Sequence, residues 1–345
     1  MTGPVGEVRG FVADCTLPGG VATGIGSMPG VDVAETVRRV FGEVPDFPYL
    51  PELPDRGPGA DLIGRGASLL IDLPVQLYAG RWQMASRPGV DVRRAQDFLE
   101  RDLDTVTEIG ADHDGPFKLA AAGPWTLAVA LQRRTGGAML GDPGAVADLA
   151  ASLAEGLALH IQDVAERLPR ARPVLQLDEP SLPAVLAGTV ATESGFSRHR
   201  PVEPAVAGEL LSAVISAVNV PVVVHCCAPS VPVTLLREAG AVAVAMDLTL
   251  LDVDSPAEMD ALGEALDGGL GLFAGAAGTG PDAPEPMGRE VADVVDGVWR
   301  RWGLEPDRRR EQVVVTPACG LAGHPWPRAR AILAACVEAA RRLRD

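Results

Sequence analysis

The chain has 345 residues, 47% of them hydrophobic and 22% charged, which is enough apolar material for a large core and excludes a disordered or fibrous protein. Thirty Lys and Arg against 46 Asp and Glu give a formal charge of −16, which repels a phosphate backbone and offers it no basic stripe, so nucleic acid is excluded as a partner. The N-terminus lacks the basic, apolar and small-residue order of a secretory signal, and no apolar run reaches the roughly 18 residues that span a bilayer, so a cytoplasmic protein with no membrane partner is expected.

Short β-branched runs alternate with longer amphipathic stretches along the chain. A strand is expected over Val21–Gly26, then a helix over Ala34–Phe41 and an elaborated loop from Val44 to Gly66. A second strand is expected around Leu69–Leu73, then a helix over Arg94–Ile109 and a third strand over Phe117–Ala122. Helices over Pro124–Arg133 and Gly144–Leu168 lead to a fourth strand, Val174–Leu177. The remaining units pair helix with strand: Pro204–Val218 with Val222–Val224, Val231–Ala239 with Val242–Met246, Pro256–Leu266 with Gly271–Ala274, and Gly288–Trp302 with Val313–Thr316, before a last helix over Pro327–Leu343. Several helices open on a proline, whose missing N–H would have no partner in a first turn anyway. Strands apolar on both faces, such as PVVV before His225, suit a parallel sheet covered by helices. Eight strands close a barrel, and no Gly/Ser/Pro-rich linker or repeat divides the chain, so one (β/α)8 domain over residues 1–345 is expected.

In such a barrel the reacting groups gather at the C-terminal ends of the strands. GIGSMP at 24–29, AGPW at 122–125, Asp178-Glu179-Pro180, His225-Cys226-Cys227, Asp247 and Cys319-Gly320 all fall there. His225 and Cys227, two apart on extended chain, face one way and Cys226 the other. Cys319 can bring a second thiolate to the same rim and Asp247 an oxygen, a mixed donor set that suits zinc and not magnesium or calcium. By residue type alone the two cysteines read equally well as small buried hydrophobes; their placement at two strand ends favours ligation. Cys15, Cys226 and Cys336 belong to no constellation, and five cysteines make a poor disulfide framework.

GIGSMP at 24–29, AAGPWTLA at 121–128, LQLDEPSLP at 175–183, VVVHCCA at 222–228 and TPACGL at 316–321 together resemble the C-terminal catalytic barrel of cobalamin-independent methionine synthase, in its short single-barrel form. The wider group includes uroporphyrinogen decarboxylase and coenzyme M methyltransferases. The resemblance implies a zinc held by His225, Cys227, Cys319 and an acid, matched by Asp247, where the family usually has Glu. It further implies that the zinc binds homocysteine as the thiolate that accepts a methyl group. It assigns the substrate carboxylate to the Ile25-Gly26-Ser27 turn and the amino group to Asp178, and suggests Glu179 as an orienter of the zinc ligands.

The chain also departs from the family. The aromatic that stacks on folate would fall near Ala130 and a further acid near Ala184, so a donor other than ordinary folate is expected, a methylcorrinoid, free or carried by a corrinoid protein, being one. FAGAAGTG at 273–280 lacks the histidine associated with proton transfer; His324 is a candidate replacement, although an ordinary helix-entry residue fits the same position. His113, His160 and His199 read as surface or helix residues. Two other readings remain: a uroporphyrinogen-decarboxylase-like lyase, for which Arg65 and Arg81 are the basic residues at hand, and a non-catalytic metal- or thiol-binding relative.

Overall fold

The computed structural model describes residues 17–344; Cys15 and the N-terminal stretch read above for a signal lie outside them. The elements run β1 (Val21–Ala22), α1 (Val33–Glu43), α2 (Leu62–Ser68), β2 (Val75–Tyr78), β3 (Arg81–Met84), α3 (Val90–Gly110), β4 (Pro116–Ala122), α4 (Pro124–Ala130), α5 (Pro143–Arg167), β5 (Arg172–Asp178) and α6 (Leu182–Leu186). They continue with α7 (Pro204–Ser216), β6 (Val222–Cys226), α8 (Val233–Glu238), β7 (Ala243–Asp247), α9 (Pro256–Asp267), β8 (Gly271–Ala277), α10 (Gly288–Arg301), α11 (Pro306–Gln312), β9 (Val313–Pro317) and α12 (Trp326–Arg344). Seven strands form one parallel sheet in the order β1-β9-β8-β7-β6-β5-β4, curled with helices outside; β2 and β3 form a separate antiparallel hairpin.

The sheet is not closed by regular strands: β1 and β4 are its two free edges. The strand expected around Leu69–Leu73 does not exist. Leu69 caps α2, and the chain beyond it turns through Asp72 at φ 53°. The gap is bridged instead by residues 48–52, inside the stretch expected to be loop. Leu50 donates its N–H to the Lys118 carbonyl and Lys118 donates to Pro48, while Glu52 donates to Gly26 and Met28 to Glu52. Pro48 and Pro51 have no N–H to give, so this segment makes isolated bridges to both edges rather than a ladder.

Helix entries follow local chemistry. The side chains of Asp32, Asp61 and Asp142 accept N–H groups in the first turns of α1, α2 and α5, and proline opens α4, α5, α7, α9 and α11. By length and composition alone α5 is apolar enough to cross a membrane. Its stripe of Val146, Leu149, Leu153, Leu157 and Ile161 is nevertheless packed in the core, with Asp148 and Glu155 exposed.

Alternation along the strands decides what fills the interior. Phe47, Val174, Val223, Ala243, Ala245, Phe273 and Val314 form a separate apolar plug, with the rings of Phe47 and Phe273 edge to face at 6.0 Å. Two residues further along β5 and β6, the same face carries Gln176 and then Asp178, and His225. The inside therefore changes from apolar to polar toward the C-terminal ends of the strands.

His160 lies in a helix, α5, and is buried there. Burial first, then the charges of Arg65 and Arg167, pull its imidazole down to about 4 against the opposing pull of Asp163. Between pH 6.5 and 4 the unfolded chain takes up a proton that the folded chain refuses, so this group lowers stability as pH falls through that window. The loss approaches about 3 kcal/mol once the pH is below 4. His160→Gln is expected to remove this component, narrowing the difference in urea midpoint between pH 7 and pH 4.5; an unchanged difference refutes the assignment.

Candidate active site

His225 ends the interior face of β6, and its Nδ1 lies 2.6 Å from Oδ1 of Asp178 on the neighbouring strand, to which it is paired in register. With Nδ1 donating to the carboxylate, the lone pair sits on Nε2. Nε2 is buried and meets no hydrogen-bond partner among the described residues. Across the rim, the Sγ atoms of Cys227 and Cys319 are 3.4 Å apart. The contact with Cys227, helped by His225 and the Gly320 N–H, pulls the Cys319 thiol below the ordinary range, and the same contact, with burial, pushes Cys227 above it.

A buried imidazole nitrogen without a partner and two touching sulfurs are donors whose chemistry fits zinc. Among the described residues, no three His, Cys, Asp or Glu side chains gather on one point as they stand. Asp247 reaches the same rim at the end of β7, but its Oδ1 is occupied by the Thr249 N–H at 2.8 Å and hydroxyl at 2.6 Å. Cys226 is fully buried on the helix-covered face, and burial raises its thiol to about 11.

The Ile25-Gly26-Ser27 turn stands beside this pair of thiols. Leu321 donates its N–H to the Ser27 carbonyl at 2.8 Å, and a Cβ on Gly320 would lie 2.0 Å from Ser27 Oγ, so a side chain there would displace the Ser27 hydroxyl. Ser27 is not a helix cap, since α1 starts later on Asp32. Among the described residues no protein acceptor takes the N–H groups of Ile25, Gly26 or Ser27, which leaves backbone donors for an anion.

Asp178 and Glu179 divide their work differently from the expectation. Asp178 orients His225 and also accepts from Gln176 Nε2 at 2.8 Å. Glu179 points away, its carboxylate taking the Trp125 N–H, the Thr126 N–H and the Thr126 hydroxyl at the start of α4. Burial raises Glu179 to about 7 against those three hydrogen bonds. Its close seat exists because residue 123 is glycine, where a Cβ would lie 2.4 Å from Oε1.

Three interior residues escaped the sequence reading. Lys118 on β4 is fully buried, with Nζ 2.6 Å from the Ile25 carbonyl and 2.7 Å from Gln176 Oε1. Gln176 is equally buried and donates to the Ile25 carbonyl at 3.0 Å. Glu52, on the bridging segment and in backbone contact with Gly26 and Met28, is buried with Oε1 unpartnered among the described residues. Burial raises Glu52 to about 7, against the pull of Arg65 and Lys118. A lysine and a glutamate among apolar residues read as solvent-facing; the signal for Lys118 was its even spacing with Ala120 and Ala122 on a strand apolar on both faces.

His324, half buried, sets Nε2 at 3.1 Å from the Thr279 carbonyl, in the loop after β8 that has no histidine of its own. Arg65 is buried and paired to Asp102, and Arg81 is exposed on the β2–β3 hairpin.

The family model described as the cobalamin-independent synthase catalytic domain matches residues 128–342, more than half of the chain and including His225, Cys227 and Cys319. The chain belongs to this family. No curated protein sequence matches it. Among solved structures, a B12-independent methionine synthase from Shewanella sp. W3-18-1, in complex with selenomethionine, overlaps with a TM-score of 0.63 at 13% identity, covering 96% of this chain and 98% of that one. At that identity the likeness concerns the fold. A dihydrodipicolinate synthetase-type protein from Pseudomonas aeruginosa overlaps with a TM-score of 0.38 at 13% identity, over 94% of this chain and 80% of that one, too loosely to bear on either fold or site. Membership of the cobalamin-independent synthase family makes the chain a methionine-synthase-like catalytic domain, hence a methyltransferase by family.

Proposed function

We propose that this member of the cobalamin-independent synthase family is a single catalytic domain, its seven-stranded barrel-like sheet bridged by residues 48–52, that transfers a methyl group to a small amino-acid thiol, homocysteine giving methionine. The observation that carries the reading is the buried, unpartnered Nε2 of His225, oriented by Asp178, on the same rim as the touching Cys227 and Cys319 sulfurs. His225, Cys227 and Cys319 would hold zinc, with Asp247 able to offer Oδ2 while Oδ1 serves Thr249. Zinc, when bound, supplies the positive charge that makes a coordinated thiol a thiolate.

The chain's own residues handle the rest of the substrate. The free N–H groups of Ile25, Gly26 and Ser27 take its carboxylate. Its ammonium meets the unpartnered Oε1 of Glu52 and Oδ2 of Asp178, whose Oδ1 serves His225 and Gln176. Arg65 is committed to Asp102, which removes a basic residue that the decarboxylase-like lyase would use on substrate carboxylates. Small residues at Ala130 and Ala184 favour a donor without a stacked pterin, a methylcorrinoid or its carrier protein. His324 is the imidazole placed to exchange a proton near the β8 loop. Reduced thiols at the centre of the site suit the cytoplasm.

The test is elemental analysis of the purified protein and of Cys227→Ser and Cys319→Ser, with circular dichroism to confirm folding, followed by mass-spectrometric detection of methionine from homocysteine and methylcobalamin. About one zinc per chain, lost in both variants, together with methionine formation by the wild type alone, is expected. A wild type that takes up no zinc and makes no methionine from folate or corrinoid donors refutes the reading. Zinc and homocysteine binding without turnover on any donor would favour a non-catalytic relative.

A further inference from the structure

A lysine with no exposed surface is among the rarest interior residues, because its ammonium must be fully compensated. Lys118 is compensated by an ordered set of partners: the Ile25 carbonyl, Gln176 Oε1, the Tyr49 ring at 5.2 Å, and the nearby carboxylates of Asp178 and Glu52. Burial draws the ammonium down to about 7, and the two carboxylates oppose that. These partners join the turn Ile25–Ser27 by direct side-chain contact to Gln176 and so to the Asp178–His225 pair.

We propose that Lys118 is a positioning residue coupling the two ends of the substrate site: it holds and polarises the peptide that takes the substrate carboxylate and, through Gln176, fixes the Asp178 carboxylate behind His225. This rests on the amino-acid-thiol reading above. The first half follows from the peptide unit itself. The Ile25 carbonyl and the Gly26 N–H belong to one amide, so a cation on the oxygen strengthens the nitrogen as a donor toward an anion. No protein acceptor among the described residues takes that N–H.

The second half follows from the two ends of a glutamine amide. With Oε1 against Lys118, the Gln176 NH2 group must face the Ile25 carbonyl and Asp178 Oδ1, which it does at 3.0 and 2.8 Å. The reversed amide would set NH2 against an ammonium and a carbonyl against two acceptors. Lys118 thus selects the one rotamer that restrains Asp178 and, at 2.6 Å, His225.

The test titrates zinc-loaded wild type, Lys118→Met and Gln176→Leu with L-homocysteine and with its decarboxylated analogue, aminopropanethiol, by calorimetry. The wild type is expected to prefer homocysteine, and Lys118→Met to lose about tenfold of that preference, read as the ratio of the two affinities so that any change common to both thiols cancels, as fits a lost charge-assisted interaction. Gln176→Leu, which keeps the cation, is expected to retain most of the preference and to bind zinc about tenfold more weakly. A purely structural lysine would alter the melting temperature and leave the ratio of the two thiols alone. Retention of the wild-type ratio in folded Lys118→Met overturns the proposal; if that variant does not fold, wild-type zinc affinity in Gln176→Leu overturns it. A wild type that binds neither thiol shows instead that the amino-acid-thiol reading has failed, and the proposal falls with it.

Discussion

Asp102→Ala is expected to destabilise the protein by about 3–5 kcal/mol, the cost of leaving buried cations without their counter-ion. Asp102, on α3, is fully buried and accepts a two-pronged pair of hydrogen bonds from Arg56, both at 2.7 Å, and a close contact from Arg65 Nη2. Arg65 has almost no exposure and a further unpartnered Nε, so it cannot turn to water when the carboxylate is removed. The triad fastens the turn at Pro54–Arg56 and helix α2 to α3, and these flank the bridging segment at 48–52. A loss of this size is a large share of a total stability of about 5–15 kcal/mol, and thermal and urea unfolding should both register it. Because Arg65 also faces Glu52, the unfolding midpoint should drop together with homocysteine affinity. A change below about 1 kcal/mol would mean that the two guanidinium groups find solvent after all.

Asp178→Ala is expected to weaken zinc binding about 10–100-fold and methyl transfer with it, without unfolding the barrel. The substitution takes the partner from His225 Nδ1 and one of two acceptors from Gln176 Nε2, so the imidazole is free to rotate its Nε2 away from the sulfurs. Asp178→Asn is expected to fall between the two, since an amide oxygen can still accept from Nδ1 but without the charge that strengthens the bond. Competition with a chromophoric chelator reads the affinity directly, and circular dichroism controls for folding. Wild-type zinc affinity in folded Asp178→Ala would remove Asp178 from the support of the metal and return it to the substrate's amino group alone.

The strands that could be read from the sequence were the ones buried on both faces. Val222–Val224 and Val313–Thr316 are β-branched throughout and bounded by turn residues, and both strands lie within a residue or two of the expected limits. The segment that fills the gap in the sheet was illegible for the opposite reason. Prolines 48, 51 and 54 interrupt it, and its two useful donors, Leu50 and Glu52, give no periodic signal. The apolar run at 69–73 gave a false one, because periodicity in so short a run cannot tell a strand from the end of a helix. The placement of His225, Cys227 and Cys319 on one rim was legible because they stand at strand ends, where this kind of sheet gathers its loops. That Asp178 and not Glu179 orients His225 was beyond sequence reasoning, since adjacent carboxylates at a strand end differ only in which face each side chain takes. Lys118, Gln176 and Glu52 were hidden because their partners, the Ile25 carbonyl among them, are supplied by distant parts of the chain.

The pairing of β1 with β9 joins Val21 to Val314 and Ala22 to Val315, so the first strand finds its ladder neighbour only once residue 314 has been made. On the ribosome, β4 to β8 can add to one another in order as they emerge, each beside the strand before it. The Ile25–Ser27 turn and the Cys319 loop, which meet through Ser27, Gly320 and Leu321, come together only at the final step. Closing so long a loop is slow, and a nascent chain waits for it with one sheet edge uncovered. A chain released before residue 313 would lack both the last strand and one of the two sulfurs, so truncated products are built to be inactive as well as aggregation-prone.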